Sequence, residues 1–458
     1  MYSEITGYRI KNLRSIGDSK DIAIHDLNIL VGKNGTGKST FMKFFQVLSQ
    51  SLRSQKKVPL LFYGNEADFG SFEESVSRKS SDKSIGFGFD FSIKNNNSKD
   101  IGTLNISYLK VFYEVEKNQE DIYNLKITIN SDDDKIIICY FNNKIKNINI
   151  NNIDFSWSSS FFSVVLYNAI PQIIYKHNID NGDNNDFIDA CNDKIKESIN
   201  SNNNYYSKLT IKSFFRLVCL PNLLFLVNEV LQELTQCIFY IGPLRYHPQR
   251  QYRMSGIDDS RIDQFDHNIS HFINNFSEAE ENAFRQWTYK YFEFKLSKVN
   301  KSGIISIKID QKDEESENLV DVGFGYSQLL PIILQLWRFK RQAETVSNNS
   351  VKCHCYIFLI EQPELHLHPA FQRRLLRAIV DIQNECKQNN VIIKVILETH
   401  SATIIDELGR ITDEELLAPD DSIIYIFHKK NSISDISSAQ YDSEGRLVNW
   451  PPGFFSGD

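Results

Sequence analysis

The chain opens with alternating apolar and polar positions, followed by a continuous apolar run, a glycine-rich loop and an amphipathic segment. The run is LNILV at residues 27–31. Residues 41–54 repeat apolar side chains at the i, i+3, i+4 spacing of one helix face. The apolar positions of that face are Phe41, Phe44, Phe45, Leu48 and Leu52. The pattern predicts strands, then a loop, then a helix that the loop opens.

The middle of the chain has a different pattern. From about residue 85 to residue 155, short alternating segments such as YNLKITI and KIIICYF are separated by Asn, Asp, Ser and Lys, which predicts an antiparallel meander. The pattern of residues 160–238 favours several helices, of which 213–236 is the most apolar. No heptad repeat is sustained, and this excludes a long coiled-coil arm.

The last third alternates apolar strands with helices. Strands are predicted near 303–309, at 356–361 and at 391–400, and helices are predicted after the glycines at 323 and 325 and over 369–383. Apolar strands that alternate with helices imply a largely parallel sheet, so we expect an α/β fold.

Composition narrows the class of protein. Of the 458 residues, 41% are hydrophobic and 24% are charged, as in globular proteins. The net charge of −7 argues against a protein that coats nucleic acid or an anionic membrane by bulk charge. With no long apolar run and no apolar leader, we expect a cytoplasmic protein with no membrane contact. The seven cysteines form no CxxC pair and are expected to be reduced.

The strongest motif is GKNGTGKS at residues 32–39, which fits the phosphate-loop pattern GxxxxGK[ST] and lies between the predicted strand and helix. In such a loop, backbone N–H groups surround phosphate oxygens, Lys38 reaches the β and γ phosphates, and Ser39 ligates Mg²⁺. We therefore expect ATP and Mg²⁺ as ligands. The candidate binding residues are Gly32, Asn34, Gly35, Gly37, Lys38, Ser39 and Thr40.

Two later strands end in polar residues that could serve a phosphate-bound magnesium ion and a γ-phosphate. The strand YIFLIE ends at Glu361, the expected magnesium-side carboxylate, and is followed by Gln362 and Glu364. The strand VIIKVILETH ends at His400, which we expect to hydrogen-bond a γ-phosphate. A lone strand-end histidine is more often structural, but a parallel sheet would bring all three strand ends to one edge.

The order GKNGTGKS, GFGYSQLLP, IFLIEQPELHLHP and LETHS resembles the ABC-type ATPases of the structural-maintenance, Rad50 and OLD group. The variant EQPELHLHP, with YIGPLR and the tail DSEGRLVNWPPGFF, is similar to a bacterial branch of AAA-family ATPases. That branch includes ATPase subunits of anti-phage systems such as PARIS and Septu. The resemblance covers the first 90 residues and about 240–458.

This resemblance implies a homodimer or larger assembly in which ATP lies between the phosphate loop of one subunit and the signature loop of another. The signature residues would be Gly323, Gly325, Ser327 and Gln328. Glycines before a helix expose N–H groups to an arriving phosphate. The alternative is an ordinary helix cap with Ser327 at the N-cap.

The sequence departs from that family at the expected general base. Where the family usually has a glutamate after the magnesium-side carboxylate, this chain has Gln362. An amide cannot take a proton from water, so hydrolysis should be slow unless Glu364 or another group substitutes. Glu361 in place of aspartate is a second, smaller departure.

Several basic residues have two interpretations. Arg14 resembles the family's early basic residue that points at the phosphates, or it is a surface arginine. The segment YIGPLR at 240–245 predicts either a phosphate or nucleic-acid contact or a solvated turn. For the runs WRFKR at 337–341 and QRRLLR at 372–377 we favour solvated helix faces.

The leading hypothesis is an ATP-gated switch or scaffold that controls a separate nuclease or toxin, since only 58 residues follow His400 and leave no room for a nuclease domain. The alternative is a DNA-binding repair or tethering ATPase. The expected segments are an ATPase first part at 1–90, an antiparallel meander at 91–155, a mainly helical insertion at 156–300 and an ATPase second part at 301–458.

Overall fold

The structure is a computed structural model that places most of the chain. It describes residues 2–54, 59–80, 82–94, 106–119, 122–132, 134–141, 144–156, 162–167, 170–175, 212–245, 248–253, 266–301, 303–311, 315–346 and 354–451, with a few isolated positions between them.

The strands of the described chain are numbered in chain order. They are β1 (Tyr2–Leu13), β2 (Ile16–Asp18), β3 (Ile22–Ala23), β4 (Leu27–Gly32), β5 (Ser84–Lys94), β6 (Tyr108–Gln119), β7 (Ile122–Ser131), β8 (Asp134–Phe141), β9 (Lys144–Ile150), β10 (Ile153–Asp154), β11 (Phe162–Tyr167), β12 (Ile170–Tyr175), β13 (Ile238–Ile241), β14 (Tyr252–Arg253), β15 (Phe294–Lys301), β16 (Ile304–Gln311), β17 (Glu317–Asn318), β18 (Cys355–Glu361), β19 (Ile392–Glu398), β20 (Ser422–Lys430), β21 (Ile433–Tyr441) and β22 (Leu447–Val448).

The helices follow the same convention. They are α1 (Lys38–Arg53), α2 (Phe72–Ser75), α3 (Leu220–Gln236), α4 (Asp266–Asn274), α5 (Glu278–Phe292), α6 (Phe324–Val346), α7 (Pro369–Gln388) and α8 (Ala402–Asp413).

The chain divides into two compact units. The first comprises Met1–Ile24, Thr40–Cys237 and Lys429–Asp435. Its sheet has the order β10-β9-β8-β7-β6-β5-β1-β2, with antiparallel neighbours throughout, so the predicted meander is confirmed. The predicted apolar face of α1 is buried, and the Tyr8 ring packs on Phe41 and Phe45 at centroid distances of 4.7 and 4.5 Å.

The prediction of helices from residue 160 onward is wrong at its start. Residues 162–167 and 170–175 pair as the antiparallel hairpin β11–β12. Aromatic and β-branched residues dominate FFSVVLY and IPQIIY, and such residues favour strands. The apolar helix is confirmed as α3, whose buried residues include Leu223, Val227 and Leu231.

The second unit comprises His25–Ser39, Ile238–His428 and Ile436–Asp458. Its sheet has the order β20-β4-β19-β18-β13, and every neighbouring pair is parallel. Every residue of β4 and β18 is buried, which explains why these strands are continuous apolar runs rather than alternating ones. The predicted parallel sheet is confirmed. The carboxyl ends of β4, β18 and β19 lie at one edge, where β18 ends at Glu361 and β19 ends at Glu398.

Two further findings concern single elements. Cys139, Cys219, Cys355 and Cys386 are free, whereas Cys237 is disulfide-bonded, so the expectation that all cysteines are reduced is wrong there.

No single described helix is long and apolar enough to span a membrane. The bent pair Lys212–Val218 and Leu220–Gln236, at 60°, passes the length and hydropathy test together.

Candidate functional site

The phosphate loop requires its glycines. Gly32, Gly35 and Gly37 have φ angles of +147°, +73° and +100°, a region that L side chains rarely adopt. A Cβ atom at Gly32 would also lie 2.4 Å from the carbonyl oxygen of Phe427. The loop thus turns tightly between β4 and α1, and Lys38 and Ser39 begin the helix. Asn34 is exposed on the loop, and Thr40 follows on α1, partly buried.

The Lys38 ammonium is enclosed by the loop. Its Nζ donates to the carbonyl oxygens of Gly32 at 2.8 Å and Lys33 at 3.2 Å, and the residue is only 3% exposed. Burial lowers the pKa of Lys38 from its ordinary value, although the neighbouring carboxylates of Glu398, Glu361 and Glu364 oppose that shift. The lysine is therefore a buried cation at the start of α1.

Glu398 is the carboxylate that contacts the phosphate loop. The Ser39 hydroxyl donates to Glu398 Oε2 at 2.8 Å, and Lys38 Nζ lies 3.6 Å from Glu398 Oε1. The reason is strand order: β19 lies directly beside β4, with Glu398 opposite Leu30. Sequence reasoning missed this residue, although it stands two positions before His400 in the motif LETHS.

Glu361 ends β18, one strand farther from the loop, and is 2% exposed. The Tyr240 hydroxyl on β13 hydrogen-bonds its carboxylate, and burial together with that carboxylate raises the pKa of Tyr240. The predicted magnesium-side carboxylate is therefore at the predicted edge, with tyrosine as a partner on the side away from β4.

Arg245 braces the end of β18. Its Nη2 donates to the carbonyl oxygens of Glu361 at 2.6 Å and Gln362 at 3.1 Å, and the residue is 5% exposed. Burial lowers the pKa of Arg245 to about 10. The remaining donors, Nε and Nη1, are buried without a hydrogen-bond partner in the described part of the chain. Arg245 is thus neither in a solvated turn nor on an exposed nucleic-acid surface.

The residues after β18 form a tight connection to the end of β19. Gln362 has a left-handed φ of 45°, and its N–H donates to the Glu398 carbonyl at 2.7 Å. Glu364 accepts from the Thr399 hydroxyl at 2.9 Å and from the His400 N–H at 2.7 Å. Both carboxylate oxygens of Glu364 are thus engaged, and they fix the backbone that carries the exposed His400 side chain.

The proposed signature loop begins a helix. Helix α6 begins at Phe324, so Ser327 lies within the first turn and is not the N-cap. The Ser327 hydroxyl donates to the Phe324 carbonyl at 2.7 Å, and Ser327 and Gln328 are 0% and 1% exposed. Their side chains are closed to solvent here, whereas Gly323 is exposed and Gly325 is partly exposed.

The signature loop packs on the loop with the sequence LHLHP, residues 365–369, in the same unit. A Cβ atom on Gly325 would lie 2.8 Å from the His366 carbonyl oxygen, so only glycine allows this approach. The rings of Phe324 and His366 meet edge to face with centroids 4.9 Å apart. A cavity of about 130 Å³ lies between the two loops.

The other basic candidates are held by their own chain. Arg14 lies in the first unit, where its guanidinium stacks 4.2 Å from the Phe69 ring centroid. In the two basic runs, Lys340 pairs with Glu385, and Arg377 pairs with Glu407 and Glu414. These two cations are therefore paired with carboxylates of their own chain, and they do not form a free basic patch.

Comparison with known proteins identifies the family. The AAA ATPase domain matches residues 4–405, most of the chain, and the chain belongs to this family. No curated protein sequence matches it. The similar solved structures include an SMC head domain from Thermotoga maritima, with 11% identity, a TM-score of 0.41, and coverage of 95% of this chain and 98% of that one.

A second similar structure is an Smc head domain with an extended coiled coil bound to the C-terminal domain of ScpA, derived from Pyrococcus furiosus. It has 12% identity, a TM-score of 0.40 and coverage of 96% of each chain. At such values the likeness is remote. The family assignment therefore rests on the matched residues 4–405.

Proposed function

We propose that the protein binds ATP with Mg²⁺ at the edge of the second unit's sheet. The observation that carries this proposal is the cluster at the glycine loop, where the partly buried Ser39 contacts the buried Glu398 and Glu398 lies beside the buried Lys38. The loop N–H groups and Lys38 would hold phosphate oxygens, and Ser39 would ligate the metal.

The oxygen donors at the site suit magnesium. Mg²⁺ prefers oxygen ligands and is usually held by one or two carboxylates together with substrate phosphates, rather than by a complete protein cage. The Ser39 hydroxyl and the Glu398 carboxylate at the loop are oxygen donors of this kind. When bound, the metal would neutralise phosphate charge.

We propose further that hydrolysis is slow. Gln362 stands where a general base is expected, and an amide does not accept a proton from water. Glu364 is the nearest alternative along the chain, but both of its oxygens accept hydrogen bonds from Thr399 and His400. Because both oxygens already hold donors from its own unit, Glu364 is not free to turn toward an attacking water.

Slow turnover suits a switch that persists in its ATP-bound state. We propose a homodimer or larger assembly in which the exposed start of α6, at Gly323 and Gly325, meets nucleotide held by another subunit. In this proposal ATP controls a separate effector protein, a nuclease or toxin of anti-phage defence. The sequence resemblance supports the defence role.

The test is steady-state ATP hydrolysis by the purified protein, with and without duplex DNA. The blank is Lys38→Ala, and Lys295→Ala, an exposed lysine on β15 of the same unit, is the matched control. We expect slow turnover that DNA does not change, that Lys38→Ala abolishes and that Lys295→Ala retains. Equal turnover in Lys38→Ala would exclude this site.

Fast turnover stimulated by DNA would favour the alternative, a DNA-binding repair or tethering ATPase. The ion pairs of Lys340 and Arg377 weigh against that alternative, because these cations are already neutralised within the chain. Phosphate contacts dominate DNA affinity and need available cations.

A further inference from the structure

The residue that follows β18 has an unusual backbone, and partners on both sides hold it. Gln362 has a left-handed φ of 45°, a conformation that residues with side chains rarely adopt and that persists only where surrounding contacts fix it. Its N–H donates to the Glu398 carbonyl of β19 at 2.7 Å. Its carbonyl accepts from Arg245 Nη2 at 3.1 Å and from the Leu365 N–H at 3.3 Å. Of these three partners, Arg245 is the one that acts through a side chain.

Fold stability alone does not explain a buried arginine at this place. Arg245 is 5% exposed, and its Nη2 is shared between the carbonyls of Glu361 and Gln362. Its Nε and Nη1 are buried with no hydrogen-bond partner in the described part of the chain. Burial of a cation is costly, and a buried arginine is usually paired with a carboxylate. This cost favours a role in the reaction over a role in packing.

We propose that Arg245 is a positioning residue for ATP hydrolysis, which holds the backbone of residue 362 so that its side chain lies where the reaction needs it. The inference rests on the proposed function, because it presupposes hydrolysis of ATP bound at the phosphate loop. In the wild type that side chain is an amide, which can orient a water molecule by hydrogen bonding but cannot take its proton. A glutamate on the same backbone would be a base in the same position.

The loss of Arg245 should move residue 362. Its carbonyl would keep the longer bond from Leu365, and the left-handed backbone could relax. Misplacement of a catalytic group by about 1 Å costs on the order of a hundredfold in rate. The effect should therefore be largest when the side chain at position 362 takes a proton itself.

The experiment measures the coupling between the two positions. ATP turnover is compared in the full-length wild type, Gln362→Glu, Arg245→Met and the double variant, each normalised to the amount of ATP bound at saturation. Gln362→Glu should raise turnover by about a hundredfold when Arg245 is present. In the Arg245→Met background the same change should raise it by less than about tenfold. A packing role would lower turnover by the same factor in both backgrounds, and an intact hundredfold gain would overturn the inference.

Arg250→Met is the matched control. Arg250 lies in the same segment and forms an exposed ion pair with Asp321. In this background Gln362→Glu should keep its gain of about a hundredfold. An equal loss of the gain in Arg250→Met and Arg245→Met would overturn the inference, since the effect would then not depend on the carbonyl contacts of Arg245.

Arg245→Lys covers the case in which Arg245→Met does not fold, and it separates position from charge. Lysine keeps the positive charge, but its nitrogen is one bond nearer the backbone and lacks the planar fork of the guanidinium. The gain from Gln362→Glu should again fall below about tenfold. A full hundredfold gain with lysine would show that the charge is sufficient and would overturn the positioning role.

The outcomes separate this inference from the proposed function. Absence of ATP binding by the wild type would overturn the proposed function. ATP binding with no gain from Gln362→Glu would overturn the base position at residue 362, and this inference with it. A hundredfold gain that persists in both Arg245 variants would overturn the inference alone.

Discussion

At the scale of single residues, the three glutamates near the sheet edge differ in the donors that hold them. Glu398 accepts from Ser39, Glu361 is hydrogen-bonded by Tyr240, and Glu364 accepts from Thr399 and from the backbone of His400. These partners fix the direction in which each carboxylate points. The side chain of Gln362 makes no hydrogen bond in the described part of the chain. A glutamate at this position would therefore be available to act as a general base.

The first residue-scale prediction concerns that position. Gln362→Glu should raise ATP turnover, by about a hundredfold if a positioned base alone is missing. ATP affinity should change little, because the residue follows the strand that ends at Glu361 rather than the phosphate loop. Steady-state kinetics with ATP measure both quantities. Unchanged turnover would mean that another residue already performs this step.

The second residue-scale prediction concerns the buried arginine. Arg245→Met should lower the free energy of unfolding by about 1–3 kcal/mol, because the buried Glu361 carbonyl loses a charged donor. Arg250→Met is the control from the same segment: Arg250 forms an exposed ion pair with Asp321, and such pairs contribute about 0–1 kcal/mol. Urea denaturation measures the difference. Equal losses of unfolding free energy in the two variants would show that the hydrogen bonds of Arg245 stabilise the fold no more than an exposed ion pair does.

At the scale of elements, continuous apolar runs and helical spacing were enough to predict β4, α1, β18 and β19. The contact between Glu398 and Ser39 was not predictable in this way, because it depends on β19 lying beside β4. Strand order across a sheet is a tertiary property that local periodicity does not encode. The burial of Ser327 likewise depends on where α6 packs, and the hairpin β11–β12 shows that β-branched content can outweigh a helical interpretation.

The element-scale prediction concerns the start of α6. Gly325→Ala places a Cβ atom 2.8 Å from the His366 carbonyl, so the signature loop must shift. We expect normal ATP binding at the subunit's own phosphate loop and turnover reduced by about tenfold to a hundredfold, because misplacement of about 1 Å has such effects. Fluorescent-analogue binding and ATP hydrolysis measure the two quantities. Reduced binding with normal turnover per bound ATP would contradict the assignment.

At the scale of the whole molecule, the central question is whether two subunits share one ATP. If they do, Lys38→Ala supplies an intact signature loop and Gly325→Ala supplies an intact phosphate loop. Mixing these variants in equal amounts should restore about a quarter of the wild-type rate, since half of the dimers are mixed and each has one intact site. Each variant alone is the control. A mixture no more active than their average would exclude a shared site.

The account depends most directly on ATP binding at the loop between β4 and α1. Isothermal titration calorimetry with ATP and Mg²⁺ tests this for the wild type and for Lys38→Ala, because that substitution removes the cation enclosed by the Gly32 and Lys33 carbonyls. The account predicts saturable binding by the wild type, at one ATP per chain, and its loss in Lys38→Ala. Equal affinity in the two proteins would contradict it.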